Sequence, residues 1–331
     1  MKKKIPALML IAILAITAIL PFAACSGSTL YSEGTGELNV VCTNFPPFDF
    51  ARIVGGEKAT VTILQDTGAD LHNYAPTSSA IMAIKNADVL VCVGGTSDDA
   101  WLENALTSSG NTELKIIKLT ECADLLPSPG AISNEEHEDH DHDHGDGEEE
   151  HDHTHDEHVW TSLRNAKNAV NTLATAFSEI DSVNAEYYMA NAAAYTEKLN
   201  ALDAQYAEAV NSAAKKTLIF ADRFPFIYMT HDYGIKYYAA FSGCSTEVNA
   251  SFDTTQKLIS AVGTEGVSCV MISDVSPENA PAVATTVANT TGVKILSLDS
   301  CQSVTRSRIE GGATYLDIMT QNLEILKEAL K

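Results

Sequence analysis

Positive charge is scarce in this 331-residue chain, where 21 Lys and Arg stand against 44 Asp and Glu. A formal charge of −23 leaves little basic surface for nucleic acid or an anionic membrane, and it suits a cationic ligand. Catalytic signatures are missing as well. Neither HExxH nor a nucleophile elbow occurs, so the chain is expected to bind and not to be an enzyme. No two cysteines are spaced CxxC, which excludes a thioredoxin-type redox motif and gives no cysteine zinc site. Beyond residue 20, no apolar run reaches the ~18 residues that a membrane-spanning helix needs.

Histidine is concentrated instead of spread. Eight of the ten fall in residues 135–158: His137, His140, His142, His144, His151, His153, His155 and His158. Almost everything between them is Asp or Glu, and no Lys or Arg interrupts the run. Removing its thirteen carboxylates brings the charge of the rest of the chain from −23 to −10. Such a segment has nothing to bury and is expected to be a disordered, solvated loop over residues 134–157. Solvation needs acids and not eight histidines, and neutral imidazole is the usual ligand of zinc-like ions. The seven histidines before His158 read as an auxiliary metal-collecting loop.

The N-terminus reads as a targeting segment. Lys2, Lys3 and Lys4 precede an apolar stretch over residues 5–20, and Ala23-Ala24-Cys25 follows. Residues 1–24 are expected to be a lipoprotein signal peptide, with lipid on Cys25, residues 25–37 as a tether, and an extracytoplasmic location on a bacterial cell membrane. Phe22 stands where such signals usually carry Leu. Cys42, Cys92 and Cys269 sit in apolar runs and read as core thiols. Cys122, Cys244 and Cys301 could supply one disulfide in an exported protein, with pairing left open.

The body alternates strand and helix. Strands are expected at 38–42, 59–64, 89–93 and 114–119, and again at 218–220, 236–241, 268–272 and 294–298. Between the two sets runs a stretch without Pro or Gly, residues 181–214, whose apolar residues recur at three, four and seven. The expected fold is α/β: two βα lobes with parallel sheets, residues 38–180 and 215–331, joined by one long rigid helix of roughly 50 Å. A ligand would lie in the cleft between lobes, where loops leave the C-terminal ends of strands. There the chain places His72, after the second strand, and His158, at the end of the histidine-rich run. Asp274, after the strand at 268–272, completes a nitrogen–oxygen set suited to zinc or manganese. Asp222 is a further candidate, and His231 reads as surface structure.

Several stretches resemble the metal-binding lipoproteins of bacterial ABC importers for zinc and manganese, the group with a long inter-lobe helix. They are Thr43-Asn44-Phe45-Pro46-Pro47, Asp70-Leu71-His72-Asn73-Tyr74-Ala75-Pro76, Asp156-Glu157-His158-Val159-Trp160, Asp222-Arg223-Phe224-Pro225-Phe226 and Tyr315-Leu316-Asp317. The resemblance implies His72, His158 and Asp274 as ligands, with Ala221 at the place of a third ligand, His or Glu, that it cannot supply. It implies Zn2+ as the transported ion over Mn2+, an ABC permease as partner, and a monomer. Two other readings remain: a manganese receptor of the same family, and a surface zinc buffer or adhesin acting in cell adhesion through its loop alone. Zinc binding should weaken as pH falls through about 6 to 7, where protons compete for imidazole.

Overall fold

The computed structural model describes residues 30–65, 74–129, 155–243, 245 and 249–331. The expectations for the signal segment, Cys25, His72 and the histidines from His137 to His153 lie outside those residues. No described helix is long and apolar enough to cross a membrane.

The first sheet is built on β2 (Leu38–Cys42), in which all but Asn39 are apolar and buried and need cover on both faces. It lies between β3 (Ala59–Ile63) and β4 (Val89–Cys92), with β5 (Lys115–Lys118) beyond β4, all four parallel. One edge departs from expectation. β1 (Tyr31–Glu33), inside the stretch read as a tether, pairs antiparallel with β3 through Tyr31 opposite Ile63. Its anchors are the ring of Tyr31 on Phe48, 5.8 Å between centroids, and the 2.8 Å pair of Ser32 and Thr62 hydroxyls. The crossovers are α1 (Phe45–Gly55), α2 (Ser78–Lys85) and α3 (Thr96–Ser109). Pro46 and Pro47 open α1, where a missing N–H breaks no helical bond.

After α4 (Leu163–Ile180) comes α5 (Ala185–Ser212), the expected long helix. Its 28 residues span about 42 Å at 1.5 Å each, shorter than expected because residues 181–184 form a cap in front of it. The Asp181 carboxylate accepts from Asn184 and from the Tyr188 hydroxyl, both at 2.7 Å. The second sheet is parallel throughout, in the order β7 (Lys236–Ser242), β6 (Thr217–Phe224), β8 (Cys269–Ser273), β9 (Lys294–Leu298). β6 runs four residues beyond the expected strand because a bulge between Phe220 and Arg223 carries the pairing onward. Its helices are α6 (Ile227–Tyr233), α7 (Phe252–Glu265), α8 (Ala282–Thr291), α9 (Arg306–Glu310) and α10 (Tyr315–Ala329).

The two lobes share one apolar core. It runs from Val40 and Phe48 through Leu173, Tyr195 and Tyr206 to Phe220, Tyr315 and Leu326. Polar ties reinforce it: the Asp49 carboxylate accepts from the Tyr315 backbone at 2.9 Å, and Tyr206 donates to the Met319 carbonyl at 2.7 Å. Two smaller clusters, one around Leu90 and the other around Ile219 and Ile272, cover the outer faces of the two sheets. Cys42, Cys92 and Cys269 are buried thiols, as expected. Cys122 and Cys301 are free thiols too, so neither forms the expected bridge, and Cys244 lies outside the described residues.

Candidate metal site

The C-terminal ends of both sheets converge on His158. Its ring is buried, packed edge-on to Trp160 at 5.3 Å between centroids. Asp156 orients it, since one carboxylate oxygen accepts from the His158 backbone N–H and faces ring Nδ1, each at 2.9 Å. With its proton on Nδ1, the ring offers the lone pair of Nε2 to an ion. Burial pulls the imidazole pKa down, but the charges of Asp156 and Glu157 and the contact with Gln302 outweigh it, and the pKa ends above the ordinary histidine value.

The neighbouring Glu157 ties this turn to the first sheet. Its carboxylate accepts from the Thr96 hydroxyl and from the Ser97 backbone at 2.9 Å, at the start of α3. Gly95 makes that approach possible: its φ is +125°, and a Cβ there would lie 2.7 Å from Glu157 Cγ. Asp156 and Glu157 are therefore fixed and buried, which corrects the loop boundary at 157. His155 bridges Pro127, and Asp156 N–H donates to the Leu126 carbonyl at 2.9 Å. Tyr228 of α6 clamps both sides of this neck, donating to the Asp156 carbonyl at 2.6 Å and accepting from Leu126 N–H at 3.2 Å.

The second lobe supplies the opposite wall. Gly243, just after β7, sits so close that a Cβ would meet the His158 ring at 2.8 Å. Trp160 Nε1 donates to the Ser300 carbonyl at 2.7 Å, and Gln302 Oε1 lies 3.1 Å from His158 Nε2. Asp274 is placed one step back. It stands at φ +62° on an exposed turn after β8, yet its carboxylate turns inward. One oxygen accepts from Ser300 N–H at 2.6 Å and the other from the Ser300 hydroxyl at 2.8 Å. Loss of water and the charge of Asp299 push its pKa up to about 6. Asp222 accepts from Ser273 N–H at 3.0 Å, and burial raises its pKa. Ala221 is fully buried in the core behind the second sheet and offers no donor atom. His231 is exposed on α6, as expected.

Four residues escaped the sequence reading: Asp156, Gly243, Asp299 and Gln302. Asp299 directly follows β9, with its carboxylate accepting from Cys301 N–H at 2.8 Å and pairing with Arg308 at 2.7 Å. The position after a strand's C-terminal end, which singled out Asp274, was a usable signal for Asp299 as well. Gln302 and Gly243 carry no such signal. Around the first lobe's edge, the Thr43 hydroxyl and both amide atoms of Asn44 are buried without partners at the end of β2. Among the described residues, no three His, Cys, Asp or Glu side chains stand close enough to hold an ion by themselves.

A family model described as the periplasmic zinc-uptake complex component A matches residues 40–329. The high-affinity zinc uptake system protein ZnuA of Bacillus subtilis is 30% identical over 311 residues, covering 93% of both chains. The zinc-binding lipoprotein AdcA of Streptococcus pneumoniae is 32% identical over 316 residues, 96% of this chain. The present chain spans only 60% of that relative's length. Among solved structures, the Zn(II)-bound ZnuA-like domain of the same AdcA superposes with a TM-score of 0.69 at 29% identity, covering 89% of this chain and 99% of the other. The metal-dependent lipoprotein YcdH of Bacillus subtilis gives 0.71 at 26% identity, with 89% and 99% covered.

Proposed function

Because the chain belongs to the family of periplasmic zinc-uptake component A proteins, we propose that it is the lipid-anchored extracytoplasmic zinc receptor of an ABC importer. It captures Zn2+ between its lobes and delivers it to a membrane permease, working as a monomer. The observation that carries this reading is His158: a buried imidazole, held in one tautomer by Asp156, with its second nitrogen turned toward the facing lobe. An imidazole prepared in this way suits zinc better than manganese, which favours oxygen donors. His72, which follows β3 in the sequence, is the second nitrogen ligand. A carboxylate at the end of β8 or β9, Asp274 or Asp299, supplies negative charge, with Asp222 in a supporting position. The histidine-rich segment raises the local concentration of ions.

Competitive zinc titration of the wild type, His72→Ala, His158→Ala and a variant with residues 134–154 replaced by a short Gly/Ser linker tests the reading. One tight zinc should survive loss of the segment and weaken at least 100-fold with either histidine change. Tight binding that disappears with the segment and ignores both single changes would make the segment itself the binding site, as a surface buffer or adhesin requires. Asp274→Asn and Asp299→Asn, titrated side by side, decide which carboxylate serves.

A further inference from the structure

One edge of the first sheet reaches past its own lobe. β1 is a three-residue strand on β3, yet two of its side chains lead to the second lobe, one at each end of α9. The Tyr31 ring lies under the guanidinium of Arg306, the first residue of α9, at 5.2 Å. Glu33 accepts from Arg52 at 2.9 Å, and the same guanidinium donates to the Ala313 carbonyl, just past the end of α9, at 2.6 Å. The buried carboxylate of Asp49 holds Arg52 from the other side at 2.8 Å, so Glu33 closes a run of charge-assisted bonds. α9 follows the loop that bears Asp299 and Ser300, and its Arg308 pairs with Asp299 at 2.7 Å. Covering a sheet edge needs only the backbone pairing with β3. It needs neither a ring beneath a cation of the other lobe nor a second carboxylate for Arg52.

We propose that β1 is an interlobe strap, with Tyr31 and Glu33 positioning residues 299–313, the segment that leads from the second wall of the cleft through α9. A grip at both ends of α9 limits how far that wall swings away from the first lobe. The direction of the strand adds to the argument. β1 runs antiparallel to β3, so Tyr31 stands level with Ile63, the last residue of β3, at the end of the sheet where the site lies. When the strand peels from its N-terminal side, Tyr31 detaches first, and the contact with Arg306 goes with it. β1 also lies in the stretch read as a tether. A pull along that stretch would therefore loosen the second wall before it disturbed the core.

Hydrogen exchange read by mass spectrometry in the ion-free full chain tests the strap, in the wild type, Tyr31→Ala, Tyr31→Phe, Glu33→Ala, Arg306→Ala and the double change Tyr31→Ala/Arg306→Ala. Tyr31→Ala should speed exchange in residues 299–313 roughly 2- to 5-fold, the range that loss of one exposed cation–π contact gives, and leave α7 and α8 unchanged. Glu33→Ala should act in the same direction but less strongly, since Asp49 still holds Arg52. Tyr31→Phe keeps the ring and should match the wild type. The double change should add little to either single change, because both remove one contact. Zinc release into excess chelator should speed by a similar factor in Tyr31→Ala, an expectation that rests on the zinc-receptor reading. Unchanged exchange in residues 299–313 of Tyr31→Ala would overturn the proposal. An equal rise in α7 and α8 would overturn it too, since it would mark a loss of overall stability. Faster exchange without faster zinc release would break the link between strap and site. A wild type that holds no tight zinc would count against the receptor reading, while the exchange comparison, which needs no ion, still decides the strap.

Discussion

The two walls of the cleft are built differently. On the first lobe, His158 is locked from every side: Asp156 on Nδ1, Trp160 against the ring, and a backbone turn pinned through Glu157 to α3. On the second lobe the polar groups stand on short loops after β8 and β9, partly open to water, with Asp274 and Cys301 in left-handed backbone. On the proposed reading, the first wall would fix where an ion sits, and the second would supply groups that turn toward it. A receptor that must also release its ion needs one wall whose contacts are given up at modest cost.

Crowding the rigid wall is the most direct way to break the contrast. Gly243→Val would drive its side chain into the His158 ring and the Phe224 carbonyl, 2.8 and 3.0 Å from the first added carbon. Urea unfolding should show a loss of about 1–3 kcal/mol, the usual effect of overpacking. A pH series sharpens the contrast. Asp98, buried beside that wall, accepts from Gly94 N–H at 2.9 Å, and its pKa is pushed from 3.8 to about 6, chiefly by burial. A carboxyl whose folded pKa is raised favours folding in its protonated form. Its penalty therefore appears as pH rises from about 4 to 6 and is complete above that. Asp98→Asn should gain roughly 2 kcal/mol over the wild type at pH 8 and close to nothing at pH 4, read from paired urea curves. On the open wall the same scrutiny should find little. Val275→Ala, at a side chain 40% exposed, should shift stability by less than about 0.5 kcal/mol; a larger loss would show that this wall is as tightly built as the other.

The elements legible in the sequence were those whose cause is local. Apolar runs marked β2, β4, β8 and β9, and the spacing of Tyr188, Tyr195, Leu199, Leu202 and Tyr206 marked α5, whose buried face they form. β1 escaped because three residues of mixed character carry no period, and only pairing with β3 makes them a strand. The extension of β6 escaped because a bulge has no compositional sign. In the site, His158 could be singled out by type and position. The groups that equip it could not: Gln302, Gly243 and Ser300 lie 85 to 144 residues away, and only the closing of one lobe on the other brings them to the ring. The misplaced end of the histidine-rich stretch has the same origin. Asp156 and Glu157 look like the acids before them until their partners on α3 and α6 are seen.

The unbroken apolar core, from β2 through α5 to α10, has a consequence for how binding is felt. Lobes that share one core should unfold together, a prediction that coincident transitions by two probes would check. An ion bound at the open edge, as proposed, would therefore protect the whole molecule, and at 100 times its dissociation constant it would add about 2.7 kcal/mol to the unfolding free energy. Amide protons deep in α10, far from any donor atom, should exchange more slowly when the cleft is filled.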